Sequence, residues 1–227
     1  MAFTGAGVST LSGVRDFRGK NGLYSTAASF RIFDINWFLK DPSIFYSAGK
    51  DFIYNLEKIK PSLVHTELSR LEKKGLIKSV ITQNIDRLHR KAGSENLIEL
   101  HGSPELHRCM DCGRTICFAE ACHIVNSGKI PYCGFCGGIL KPDIIFFGEQ
   151  LPAEVLSDAA EEAMKADLLL VLGSSLSVQP AASIPAYTLQ AGRKIVIINN
   201  METSLDSSAV LRYHDLGEVF NYISEKL

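Results

Sequence analysis

The sequence predicts a doubly wound α/β fold that carries a smaller lobe held by a metal ion, and three observations predict it. Short β-branched or leucine runs end in polar or Gly-rich turns at residues 79–82, 97–100, 143–146, 168–172 and 194–198, the composition of strands buried on both faces of a parallel sheet. Helical stretches at 65–74, 153–166 and 181–190 alternate with them, as βαβ units require. Two Cys-x-x-Cys pairs, Cys109 with Cys112 and Cys133 with Cys136, lie 20 residues apart. Four thiolates presented as two knuckles suit a tetrahedral zinc ion, and a site filled by four protein ligands leaves no position for water or substrate. The zinc is therefore expected to be structural, with the chemistry elsewhere.

Along the chain, Met1, Ala2 and Phe3 form the stub of a first strand, short against the usual five or six residues. That shortness raises the expectation that the natural N-terminus extends further. The turn after it, Thr4-Gly-Ala-Gly-Val-Ser9, lets backbone approach a pyrophosphate closely. It departs from the dinucleotide fingerprint, because the third glycine is displaced and no acidic residue closes a second strand about 20 positions on. A hydride-transferring dehydrogenase thus loses support.

Two segments interrupt the alternation: residues 21–60, rich in Phe, Tyr and Ile at helical spacing, and residues 108–138, which hold the knuckles. Together they are expected to form the small domain, the second being too small to fold without metal. Residues 1–20, 61–107 and 139–227 are left as the large domain. Cys117 and Cys122 read as small hydrophobes or bystander thiols.

A net charge of -1 and a pI of about 6.6 provide no basic stripe, so direct nucleic-acid binding is not expected. The longest apolar runs fall far short of a membrane span and no charged-then-apolar leader precedes Phe3, so a soluble, cytoplasmic protein is expected. Ligands of open α/β sheets bind beyond the carboxyl ends of the strands. Those ends are polar here: Thr82-Gln-Asn-Ile-Asp86, His101-Gly102, Gly173-Ser-Ser175 and Asn199-Asn200. Turn formation alone explains any one of them, but four coincide.

These stretches, with Gly5-Ala-Gly-Val-Ser9, Asp16-Phe-Arg-Gly19, the two knuckles and Phe147-Gly-Glu149, stand in the order found in sirtuins, and the resemblance covers nearly the whole chain. It implies a Rossmann-type parallel-sheet large domain, a small domain of zinc ribbon plus helices, one structural zinc, and NAD consumed as a co-substrate. The implied activity is NAD-dependent protein-lysine deacetylation. The acyl oxygen attacks the nicotinamide ribose, nicotinamide leaves, and a histidine activates the ribose hydroxyl that attacks the resulting imidate, so that the acyl group ends on ADP-ribose.

By this resemblance His101 matches the catalytic base, whose ordinary pKa near ~6.5 suits proton transfer at neutral pH. Asn84 and Asp86 match residues that hold the nicotinamide ribose and carboxamide, and Gln83, with Ile85 in the same motif, adds a ribose contact. Phe17 and Arg18 match the loop that closes over the cofactor, and Gly5, Ala6 and Ser9 match the pyrophosphate turn. Gly173, Ser174, Ser175 and Asn199 match the adenosine side, with Asp215 a looser match. Ile145, Phe146, Phe147, Gly148 and Glu149 on one side, and Ser177 and Val178 on the other, match the edges between which an acyl-lysine peptide adds as a strand.

Sirtuins that favour succinyl or malonyl groups set a tyrosine three residues before an arginine. Here Tyr46 precedes Gly49, so acetyl or longer neutral acyl groups are expected, Lys50 lying one residue too far. His65, His89, His107, His123 and His214 read as structural or exposed, and Phe30, Phe33, Trp37 and Phe38 as small-domain core. Acyl-lysine proteins or peptides are the expected partners of a monomer. The competing expectations are mono-ADP-ribosyl transfer from the same NAD crevice and a non-catalytic zinc-ribbon interaction module.

Overall fold

Apolar runs too short to be helices and bounded by turns pair side by side into a six-stranded parallel sheet. The computed structural model describes residues 1–16 and 31–227. β1 (Ala2–Thr4) leads through the glycine turn into α1 (Gly7–Thr10). After a 3-10 turn at Arg31–Phe33 come α2 (Ile35–Lys40), α3 (Pro42–Phe52) and α4 (Leu63–Lys73). Asp34 starts α2 by accepting from the backbone N–H groups of Asn36 and Trp37, and Asp41 followed by Pro42 starts α3 in the same way. A capping box of Ser62 and His65 starts α4.

β2 (Val80–Thr82), α5 (Leu88–Ala92) and β3 (Leu97–Glu99) then complete one half of the sheet. β4 (Gly102–Cys109), β5 (Thr115–Cys117), α6 (Phe118–Asn126) and β6 (Leu140–Ile144) leave it. The chain returns with α7 (Ala153–Lys165), β7 (Leu168–Leu172), α8 (Ile184–Gln190), β8 (Lys194–Ile198), β9 (Leu211–Tyr213) and α9 (Leu216–Lys226). Strand order β3-β2-β1-β7-β8-β9 makes this a Rossmann-like sheet. The order reverses between β1 and β7, and a crevice opens at such a switch point.

Apolar clusters cover both faces. Phe3, Ile81, Val171 and Ile197 pack with α7 and α8 on one, while Val80, Leu172, Val196 and Ile198 pack with α4 and α9 on the other. The second sheet is antiparallel and three-stranded, in the order β5-β4-β6. Its helices enclose an aromatic cluster in which Phe33, Phe38, Phe45 and Phe146 meet mostly edge to face. Tyr46 belongs to that cluster and donates its hydroxyl hydrogen to the Leu140 carbonyl.

Three expectations change. The run at 143–146 does not join the parallel sheet: its first residues end β6, antiparallel to β4, because Asp143, half-exposed and paired with Arg108, interrupts the apolar positions and suits a sheet with one wet face. The stretch between the knuckles, expected to depend on metal alone, contains α6, whose Phe118, Ala121 and Val125 are buried in the aromatic cluster. The helix expected over 181–190 begins as a 3-10 turn and is α-helical only from Ile184.

Candidate functional site

The four predicted ligand cysteines come together, with all four Sγ atoms within 4.8 Å of one another. Cys109 and Cys136 are 3.4 Å apart and Cys112 and Cys133 3.7 Å. Thiolates at zinc–sulfur distances of about 2.3 Å on a tetrahedron would stand about 3.8 Å apart. The cluster therefore fits zinc, with no open coordination position.

The second site is the crevice at the switch point, a cavity of about 430 Å³ bounded by the strand ends of the parallel sheet and by the segment after β6. Its floor is made by close contact of two turns. The turn after β1 and the turn after β7 approach so nearly that a Cβ on Gly173, which has φ +59°, would lie 2.6 Å from the Val8 nitrogen. Only glycine permits that approach.

On this floor the strand ends interlock. Gln83 donates from Nε2 to the Ser174 hydroxyl at 2.7 Å. Asn84 donates from Nδ2 to the Gly5 carbonyl at 3.0 Å and to the Ser9 hydroxyl at 3.2 Å. Both amide hydrogens are thus spent, so what Asn84 can offer a ligand is its carbonyl oxygen. Ser9 donates to Asp86 Oδ2 at 2.6 Å, and Asp86 Oδ1 accepts the Leu88 N–H at 2.9 Å. Burial raises the Asp86 pKa, and the Ser9 hydroxyl bond offsets part of that rise.

His101 lies at the end of β3. Its Nδ1 is 2.8 Å from the Gln83 carbonyl, a contact that requires Nδ1–H and leaves Nε2 as the acceptor. Burial lowers its pKa, the bond to Gln83 opposing, so the ring is neutral at pH 7. A neutral imidazole with a free Nε2 can take a proton from a hydroxyl. The following Gly102 has φ +73°, and a Cβ there would meet the Asp143 carbonyl oxygen at 2.2 Å. The close return of β6 past His101 therefore depends on that glycine.

Of the predicted cofactor residues, Gly5, Ala6, Gln83, Asn84, Ile85, Gly173, Ser174, Ser175, Asn199 and Asp215 line the crevice, as does His101. Ser9 and Asp86 do not; they sit behind Asn84 and brace it. Phe17 and Arg18 lie outside the described residues, and so does Phe30. Of the predicted peptide residues, Ile145, Phe146, Phe147, Gly148, Glu149 and Val178 line the crevice. Ser177 is exposed and bonded to Ser175 instead.

Sequence reasoning missed Met201, His214 and Leu216, which close the end of the crevice near Asn199. The first follows the polar end of β8 directly and could have been found there. The other two flank the start of α9, where no apolar run marks the short β9 before them. His65, read as structural or exposed, is structural: it is fully buried and holds Ser62 through Nδ1, its Nε2 lying 3.5 Å from Ser9. Tyr46 and Gly49 are not among the lining residues.

Buried polar side chains on the wall, Ser174 and Asn199 at 4% exposure each, and a floor with no room for a Cβ suit a polar, phosphate-bearing ligand such as NAD.

A family model described as Sir2 family matches residues 5–180. The chain is 44% identical over 227 residues to an NAD-dependent protein deacetylase of Thermotoga maritima, covering 100% of this chain and 92% of that one. It is 42% identical to an NAD-dependent protein deacylase of Pyrococcus furiosus, with the same coverage of each. Among solved structures, a Sir2 variant with deacetylated p53 peptide and 3′-O-acetyl ADP-ribose superposes with a TM-score of 0.93 at 43% identity, over 99% of this chain and 92% of that one. A complex of Sir2, p53 peptide and NAD superposes at 0.91 with 42% identity, over 99% and 91%.

Proposed function

Because the chain belongs to the Sir2 family, we infer that it is an NAD-dependent protein-lysine deacetylase, moving the acyl group of an acyl-lysine protein or peptide to ADP-ribose with release of nicotinamide. The observation that carries the reading is the neutral His101, its Nδ1–H tied to Gln83 and its Nε2 free, in a crevice bounded by polar strand ends on one side and residues 145–149 on the other.

NAD is held by the glycine turn at Gly5 and Ala6, by Gln83, Asn84 and Ile85, and by Gly173, Ser174, Ser175, Asn199 and Asp215. When bound it supplies an electrophilic ribose carbon with nicotinamide as leaving group. The Asn84 carbonyl oxygen, fixed because both its amide hydrogens are engaged, favours positive charge developing nearby without having to reorganise. Asp86 acts behind Asn84 through Ser9, and Phe17 and Arg18 belong to the loop that closes over the cofactor. His101 Nε2 takes the ribose hydroxyl proton.

The peptide lies between residues 145–149 and residues 177–178. Phe33, Ile85 and Phe146 give the adjoining wall apolar surface and no cation, which suits acetyl and longer neutral acyl groups. The zinc held by Cys109, Cys112, Cys133 and Cys136 is structural. The two-domain division stated above, a cytoplasmic monomer, and no direct contact with nucleic acid or membrane complete this reading. It is supported by the near-neutral charge and by the finding that, among the described residues, no helix is long and apolar enough to cross a membrane.

Mass spectrometry of an acetyl-lysine peptide with and without NAD, alongside His101→Ala, tests it. Deacetylation that needs NAD, yields free nicotinamide and acetyl-ADP-ribose, and falls about 10²-fold to 10⁴-fold in the variant is expected. A gain of ADP-ribose mass on protein with no deacetylation would replace the reading by mono-ADP-ribosyl transfer.

A further inference from the structure

Beneath the peptide edge lies a buried cation that the reaction does not use. Lys141, on β6, is only 8% exposed. Its Nζ donates to the Ile144 carbonyl at 2.7 Å and the Pro142 carbonyl at 3.3 Å, pairs with Glu149 Oε2 at 2.9 Å, and stands 4.3 Å from the centre of the Phe146 ring. The same Glu149 oxygen accepts the Phe146 N–H at 2.7 Å. Burial lowers the Lys141 pKa and Glu149 opposes that shift, so the ammonium persists because the carboxylate faces it.

Every group this pair ties down belongs to residues 142–149, of which 145–149 form one wall of the crevice. The remaining bonds of that stretch run to protein as well. Ile145 donates to the His101 carbonyl, Phe147 donates to the Phe33 carbonyl, and the Phe147 carbonyl accepts from Ile35. With Phe146 N–H spent on Glu149, Gly148 is left with no backbone partner among the described residues. An edge held by this many internal bonds is already close to its binding shape and loses little entropy when a strand adds to it.

We propose that Lys141 is a positioning residue for the acyl-lysine substrate, locking with Glu149 the edge at residues 144–149 against which the peptide adds. This rests on the docking of peptide at that edge. Without the pair, the edge is free to depart from its docking shape, so the loss falls on peptide binding and spares NAD binding and chemistry.

Steady-state kinetics on the zinc-loaded protein test this with Lys141→Met, Lys141→Arg, Glu149→Gln and the double variant Lys141→Met/Glu149→Gln. Lys141→Met and Glu149→Gln should each raise the peptide KM about tenfold, with kcat and the NAD KM changed less than about twofold. Lys141→Arg should recover most of the loss, and the double variant should be no worse than either single one, because both remove one interaction. An unchanged peptide KM, or a fall in kcat and a rise in the NAD KM alongside its rise, would overturn the proposal. Should Lys141→Met fail to fold, Lys141→Gln carries the same test, because it removes the charge at a residue that does not itself line the crevice. Hydrogen exchange of the unmodified protein with acetyl-lysine peptide separates the premise: protection at 145–149 is expected, and protection elsewhere would remove the docking site and the role of Lys141 with it.

Discussion

The parallel sheet and the three-stranded sheet both deliver residues to one crevice, but they are stabilised by different means. The parallel sheet has an apolar cluster on each face, with Phe3, Ile81, Leu172 and Ile197 at 2% exposure or less. The zinc end of the small sheet has only Cys109, Cys133 and Leu140 buried together, two of them metal ligands. Hydrophobic burial fixes the first and, through the aromatic cluster, the crevice end of the second; coordination must fix the zinc end. A site assembled from both is no more robust than its metal-held half.

The largest test of that contrast is removal of the metal. Zinc binding in such ribbons is worth about 10–16 kcal/mol, so Cys112→Ala or exhaustive chelation should unfold the ribbon and reduce deacetylation at least about 100-fold. The chain's one tryptophan, Trp37, lies in α2 of the small lobe. Its emission should change on chelation while most of the far-UV circular dichroism is retained. Loss of all secondary structure together would break the comparison.

Next in size is Gly173→Ala in the burial-held half. A left-handed φ costs a side chain about 1–2 kcal/mol and overpacking about 1–3 more. Urea unfolding should therefore show about 3 kcal/mol lost, with zinc content unchanged. A loss under about 1 kcal/mol would mean that the two turns are not packed as tightly as described.

Measured per ring and per pH unit, acid gives the smallest effect. His65 and His89 are buried in the large lobe with rings 4.6 Å apart, and burial holds their pKa values down at about 2 and about 4. In the unfolded chain they titrate near ~6.5. The unfolded state therefore binds protons first: the stability they contribute is complete above about pH 6.5 and is lost as pH falls from there toward 4, by up to about 1.4 kcal/mol per pH unit for each ring. His89→Gln should flatten the slope of unfolding free energy against pH between 6.5 and 4. An unaltered slope would show that the ring is not held neutral.

How much of this was legible depended on whether the signal was local. Buried parallel strands announce themselves as apolar runs, and β2, β3, β7 and β8 all stand where such runs were read. Ligand spacing is equally local, and the four cysteines meet. β4 was missed because Glu105, His107 and Arg108 break its run, although His107 is fully buried against the Tyr54 hydroxyl. Residues 143–146 were misplaced because an apolar run does not say which sheet it joins; that depends on β4, more than 30 residues away. In the site, strand ends marked Gln83, Asn84, His101 and Ser174. Sequence did not reveal that Ser9 spends its hydrogen on Asp86, which is a matter of side chains from distant elements meeting.

His101 occupies the seam between the lobes: its ring is tied to Gln83 on the parallel sheet, while its own carbonyl accepts from Ile145 where the small sheet hands the chain back. This one residue therefore ties the two sheets together. A displacement between the two sheets that strains the bond to Gln83 would register in the imidazole resonance of this single residue, readable without attaching a label.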